Sequence, residues 1–81
     1  MPARFEIRVP KMGMDTTEVT IANWLVRQGD SVQKGAPLAE LESEKALFVL
    51  DAEAAGDVVE IIQPQGSTVA VGEVICVLKV A

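Results

Sequence analysis

Apolar residues along the 81-residue chain fall in short alternating runs, punctuated by glycine, proline and small polar residues. Alternation with a period of two marks half-buried strands. It predicts strands over 5–9, 17–26, 31–33, 37–43, 46–52, 56–63, 68–70 and 74–80. No segment keeps helical apolar spacing beyond two turns, so the expected fold class is all-β.

The pattern also repeats. "IANWLVRQGDSVQKGAPLAEL" at 21–41 aligns without a gap with "VVEIIQPQGSTVAVGEVICVL" at 58–78, an offset of 37. Gly29 meets Gly66, Val32 meets Val69 and Gly35 meets Gly72, while Leu38 meets Ile75 and Leu41 meets Leu78. Each half reads as a strand, a turn at Q-G-[DS], a short strand, a glycine turn and another strand. Two units are too few for a solenoid. The expectation is a flattened barrel or sandwich of two small antiparallel sheets related by a pseudo-two-fold axis. The length fits one domain, 1–81.

Composition narrows the function. Aromatics are few, Phe5, Trp24 and Phe48, so valine, isoleucine and leucine must build the core, Trp24 and the lone Cys76 among them. The net charge of −5, with basic residues scattered singly, argues against nucleic acid and anionic membranes as partners. No apolar run has the length of a transmembrane helix, and "MPARFEIRVPK" has no signal-peptide core. These features point to a cytoplasm, bacterial before mitochondrial matrix. A single cysteine forms no internal disulfide. With no histidine, a His general base, a Ser-His pair and His metal ligands are all excluded. Paired-carboxylate catalysis is possible in principle, but the acids alternate with apolar residues as on a solvated sheet face. The glycines stand apart, without a phosphate-cradling loop. The chain looks unable to do chemistry unaided.

One basic residue stands out. In "LAELESEKALFVLDAEAAG" at 38–56, Lys45 is the only base among Glu40, Glu42, Glu44, Asp51 and Glu53. Ala39 and Leu41 read as inward, Glu40 and Glu42 as outward. Glu44-Lys45 then falls where the strand ending near Ser43 must reverse into the strand starting at Ala46. A flexible amine on a rigid hairpin tip is suited to presentation, although most exposed lysines merely solubilise.

"GDSVQKGAPLAELESEKA" at 29–46 resembles the lipoyl domain of 2-oxo acid and acetoin dehydrogenase complexes. The resemblance continues through "VPKMGMDTTEVTIANWLV", "AAGDV" and "GSTVAVGEVICVL", and so covers nearly the whole chain. It implies that Lys45 carries lipoic acid in amide linkage, with Glu42, Ser43, Glu44 and Ala46 as the surrounding recognition motif. It further implies a non-catalytic carrier within an E2 dihydrolipoamide acyltransferase chain, modified by a lipoate ligase or lipoyl transferase. The partners implied are E1, the E2 catalytic core and E3, with pyruvate-type, other 2-oxo acid and acetoin complexes left open.

Two other readings remain. A biotinyl carrier domain of a carboxylase shares the fold, but its lysine usually stands between methionines, where this chain has Glu44 and Ala46. An unmodified structural domain of the same type, as in membrane-fusion adaptors, would lack the E-S-E-K-A tip. The glycine-cleavage carrier is longer and differs around its lysine. The chain departs from the lipoyl pattern at Leu47 and Val49, commonly polar positions, and lacks the usual prolines after that strand. If Phe48 and Leu50 face the core, Leu47 and Val49 are either scattered surface apolars or an E1-facing patch. Met12 and Met14, in the "KMGMDTTE" connection, are candidates for the same partner surface.

Overall fold

The computed structural model describes residues 3–11 and 16–80. Eight strands follow the chain: β1 (Ala3–Arg8), β2 (Glu18–Trp24), β3 (Ser31–Val32), β4 (Pro37–Glu42), β5 (Leu47–Asp51), β6 (Gly56–Ile61), β7 (Thr68–Ala70) and β8 (Val74–Val80). They form two sheets of four, in the orders β1-β8-β6-β3 and β5-β4-β2-β7. All pairings are antiparallel. Replacing β1, β2, β3 and β4 by β5, β6, β7 and β8 turns one order into the other, so the expected pseudo-two-fold relation holds. Of the two forms expected, the chain takes the sandwich. No ladder closes the sheets into a barrel among the described residues.

All eight expected strands are present, and most are shorter than the alternation suggested. β1 instead begins two residues earlier than expected, and the largest shortenings fall at 25–26 and 62–63, where Leu25, Val26 and Ile62 continue the apolar run past the end of the ladder. Leu25 and Ile62 occupy equivalent places there and are both exposed, because the chain is already leaving its sheet for the Q-G turn.

Those turns explain the repeated glycines. Gly29 and Gly66 have φ of 97° and 91°, a region that L side chains enter only with strain. Each glycine N–H donates to the other half: Gly29 to the Val58 carbonyl and Gly66 to the Ile21 carbonyl, both at 2.7 Å. Val58 N–H donates in turn to the Asp30 carbonyl, and Ile21 N–H to the Ser67 carbonyl, both at 2.8 Å. Each half thereby docks its short strand, β3 or β7, onto the long strand of the other.

The core lies between the sheets and is paired in the same way. Ile21 with Val58, Val32 with Val69, Leu38 with Ile75, Ala39 with Cys76 and Leu41 with Leu78 are all buried. At about 1.5–3 kcal/mol for each large aliphatic side chain removed from water, these pairs are the main favourable contribution. Trp24, expected within the core, packs at its rim, with its indole Nε1–H donating to the Gln63 carbonyl at 2.8 Å. An aromatic with a polar edge is easier to satisfy there than in an interior without polar partners.

Gly56 is required for a different reason. It pairs with Val32 of β3 and lies beside β8, where a Cβ would sit 2.5 Å from the Lys79 carbonyl oxygen and 3.0 Å from Val80 Cγ1. Backbone cannot yield as a side-chain end can. Gly56→Ala should cost about 1–3 kcal/mol, the usual range for overpacking. Denaturant unfolding that finds no loss would disprove this close-approach account.

Candidate functional site

Strands β4 and β5 form a hairpin whose last ladder pair is Glu42 with Leu47. Between them, Ser43 N–H donates to the Ala46 carbonyl at 2.9 Å, closing a reversal over Glu44 and Lys45. Two-residue hairpins usually turn through positive φ, with glycine or asparagine. Neither is present, and no described non-glycine residue has positive φ. The side chain of Ser43 compensates: its Oγ accepts from the backbone N–H of both Lys45 and Ala46, each at 3.3 Å. Ser43 is half-buried, whereas Glu44, Lys45 and Ala46 are exposed. The tip is thus tied through its own serine, with the lysine at its outer limit.

The structure brings Glu42, Ser43, Glu44, Lys45 and Ala46 together in this one turn. Among the described residues no carboxylate lies within salt-bridge distance of Lys45. Beside the turn runs a groove of about 430 Å³, lined by Thr16, Thr17, Glu18, Val19, Thr20 and Thr68 together with residues 42–45. Thr20 and Thr68 were not foreseen, because their proximity depends on the β2–β7 pairing, in which their hydroxyls lie 3.3 Å apart. The connection from β1 to β2 flanks the hairpin through Thr16 and Thr17. Met12 and Met14, on the same connection, lie outside the described residues.

Leu47 and Val49 point outward as read, 57% and 51% exposed, while Phe48 and Leu50 pack against the core. Opposite them on β4 stand Glu42 and Glu40. The outer face of the hairpin is therefore apolar along one strand and acidic along the next. No group of three or more metal-ligating side chains occurs among the described residues. Cys76 is fully buried, and that burial pushes its thiol up to about 11, against a smaller lowering by a hydrogen bond with the Val77 backbone. A thiol so placed is a packing residue, poorly suited to redox work.

Two measurements follow. Ser43→Ala removes the acceptor for two exposed N–H groups that water can satisfy, so stability should fall by only about 0.5–1.5 kcal/mol. Amide exchange at Lys45 and Ala46 should accelerate while the sandwich stays protected; unchanged exchange would show that the serine does not hold the turn. For Cys76, the folded thiol titrates above its unfolded value. Its contribution is therefore complete below about pH 9 and is lost as pH rises towards 11. Unfolding curves across that range should show the loss, and Cys76→Ala should reduce it. An equal alkaline slope in the variant would assign the loss to other groups.

Comparison with known proteins agrees with this geometry. The sequence profile of the family described as "Biotin-requiring enzyme" (biotin/lipoyl) matches residues 5–78. The chain is 42% identical over 77 residues to the dihydrolipoyllysine-residue acetyltransferase component of the pyruvate dehydrogenase complex of Zymomonas mobilis, covering 94% of this chain and 18% of that protein. It is 42% identical over 73 residues to the dihydrolipoyllysine-residue succinyltransferase component of the 2-oxoglutarate dehydrogenase complex of Staphylococcus saprophyticus, covering 90% and 17%. The chain thus spans less than a fifth of the length of either relative. Among solved structures, the lipoyl domain of the 2-oxoglutarate dehydrogenase complex of Azotobacter vinelandii superposes with a TM-score of 0.74 at 29% identity, over 90% of this chain and 92% of that one. A multi-domain long-chain acyl-CoA carboxylase shares the fold over the whole chain and 7% of its own, with a TM-score of 0.82 at 23% identity. A profile match across nearly all of the eight-strand sandwich assigns the chain to the biotin/lipoyl attachment domain family.

Proposed function

We propose that the chain is a lipoyl carrier domain in which Lys45 is the residue acylated by lipoic acid. The observation that carries this reading is an exposed amine, free of described carboxylate partners, on a serine-tied turn between two core-packed strands. Such an amine can enter the active site of a modifying enzyme, and its base cannot wander. The choice of lipoyl over biotinyl rests on Glu44 and Ala46 as neighbours and on the names of the most similar relatives.

When attached, the dithiolane supplies thiol–disulfide and acyl-transfer chemistry. The chain itself is non-catalytic. Its residues hold the attachment point clear of the sandwich and raise the local concentration of the arm at each active site it visits. Those sites belong to E1, the E2 catalytic core and E3 of a 2-oxo acid dehydrogenase complex in a bacterial cytoplasm. A lipoate ligase or lipoyl transferase is the modifying partner, with Glu42, Ser43, Glu44 and Ala46 as the surface it reads. Leu47 and Val49, with Met12 and Met14, are the surface offered to E1.

The test separates geometry from local composition. Incubation with lipoate ligase, followed by peptide mass spectrometry, should find the acyl group on Lys45 and not on Lys34 or Lys79. Exchanging Glu44 and Lys45 keeps composition and charge while moving the amine one residue along the turn. Misplacement by about 1 Å can cost on the order of 100-fold in rate. The exchanged domain should fold as before and be lipoylated slowly or not at all. Modification at an equal rate would mean that the ligase reads a flexible peptide, and the rigid-presentation account would fall.

A further inference from the structure

The internal symmetry offers a comparison that a single sheet would not. Strands β1 and β5 are the equivalent edge strands of the two sheets. Their register follows from matching bonds: Gly72 N–H donates to the Val9 carbonyl as Gly35 N–H does to Ala52. Position 9 thus corresponds to position 52, and Arg4, Glu6 and Arg8 correspond to Leu47, Val49 and Asp51.

At these sites the two edges are built differently. On β1, Arg4 pairs with Glu60 at 3.5 Å, and Arg8 pairs with Glu6 at 2.8 Å. A charged, ion-paired edge is how soluble sheets discourage further strand pairing. On β5, Leu47 and Val49 stand exposed with no such protection. Because Ser43 N–H bonds the Ala46 carbonyl, alternation of the antiparallel ladder turns the N–H and C=O groups of Leu47 and Val49 away from β4. Among the described residues, β5 is laddered to β4 alone and forms the edge of its sheet. Two apolar side chains and two sets of unused backbone groups therefore share one edge.

The charges around that edge select its occupant. Glu40 and Glu42 stand across from Val49 and Leu47, Asp51 ends the strand, and Glu44 and Glu53 lie just beyond either end, five acids against the single base Lys45. A second copy of a chain of net charge −5 would bring these acids against themselves. We infer that β5 is a docking edge for an extended segment of a partner protein, apolar in its middle and flanked by lysine or arginine, which adds as a fifth strand. This deepens the partner-facing reading of Leu47 and Val49 and rests on it, but it is independent of whether Lys45 is acylated.

The probe is the peptide acetyl-Lys-Val-Thr-Val-Thr-Val-Lys-amide, added to the ¹⁵N-labelled unmodified domain. Its binding should slow amide exchange at Leu47 and Val49 by about tenfold or more, as when an exposed amide gains a hydrogen bond. Arg4 and Glu6 should be unaffected. The same peptide with glutamate ends, or with its valine amides N-methylated, should give no protection. Leu47→Arg with Val49→Glu places the β1 side chains on β5; this pair should fold, since β1 carries it, and lose the effect. No protection at millimolar peptide, equal protection on β1, or equal binding of the N-methylated peptide would overturn the inference. So would protection that appears in the domain alone as its concentration rises, which would make the occupant a second copy. Should the double variant misfold, the peptide series on the unaltered domain still decides. None of these readouts uses lipoylation, so failure here leaves the assignment of Lys45 standing.

Discussion

Four reciprocal backbone hydrogen bonds carry most of the consequences of this fold: Gly29 and Asp30 with Val58, and Gly66 and Ser67 with Ile21. Ile21 and Val58 are also among the most buried side chains. The same residues therefore fill the core and lock each half onto the other. A chain of this length has little apolar surface to spare, and neither half could hide its own inner face alone. Satisfying buried backbone groups through the opposite half makes the two halves fold as one unit. Strand β2 is fixed in this way, β4 pairs with β2, and the hairpin bearing Lys45 grows out of β4. Rigidity at the tip begins at the centre of the sandwich.

Much of this was readable from residues because the governing constraints are local. Positive φ at Gly29 and Gly66 needs glycine, and period-two burial needs alternating valine, leucine and isoleucine, so the repeat at an offset of 37 showed both. The inward direction of Ala39 and Leu41 and the outward direction of Leu47 and Val49 followed from alternation alone. The adjacent burial of Leu38 and Ala39 did not. It arises from a register shift between Pro37 and Ala39, which depends on how β4 pairs with β5. The Thr20–Thr68 contact and the serine-tied turn were hidden for the same reason. Ser43 in a turn is unremarkable as a letter, and its two N–H donors become evident only once the reversal is built.

The places where the two halves differ are more informative about function than those where they agree. The repeat offset is 37 between β2 and β6, but position 9 corresponds to position 52, an offset of 43. The connection from β1 to β2 therefore carries six more residues than its counterpart, and it flanks the Lys45 hairpin. The turn joining β4 to β5 links the two halves, and at the equivalent place Ala3 of β1 lies beside Val80 of β8. Leu47 and Val49 replace a charged pair at matched positions. Three departures from symmetry converge on one hairpin. The fold demands neither the longer connection nor the apolar pair, since the opposite half manages without them.

A carrier domain must reconcile a fixed base with a mobile arm. An arm on a disordered peptide would sample a larger volume, and its effective concentration at any one active site would fall with the length of the free segment. An arm on a buried residue would never reach a second protein. The hairpin lies between these limits. Its strands are held by the core through Leu41, Phe48 and Leu50, its turn is held by Ser43 Oγ, and freedom begins at the Lys45 side chain. Most of the entropy lost in ordering the base is thus compensated by the folding of the domain, leaving little to be lost at each encounter with a partner. The acidic residues around the tip act at longer range, favouring approach to basic surfaces and discouraging association between like chains. On the proposed reading, the sandwich contributes position, Lys45 contributes reach, and the outer face of the hairpin contributes selectivity.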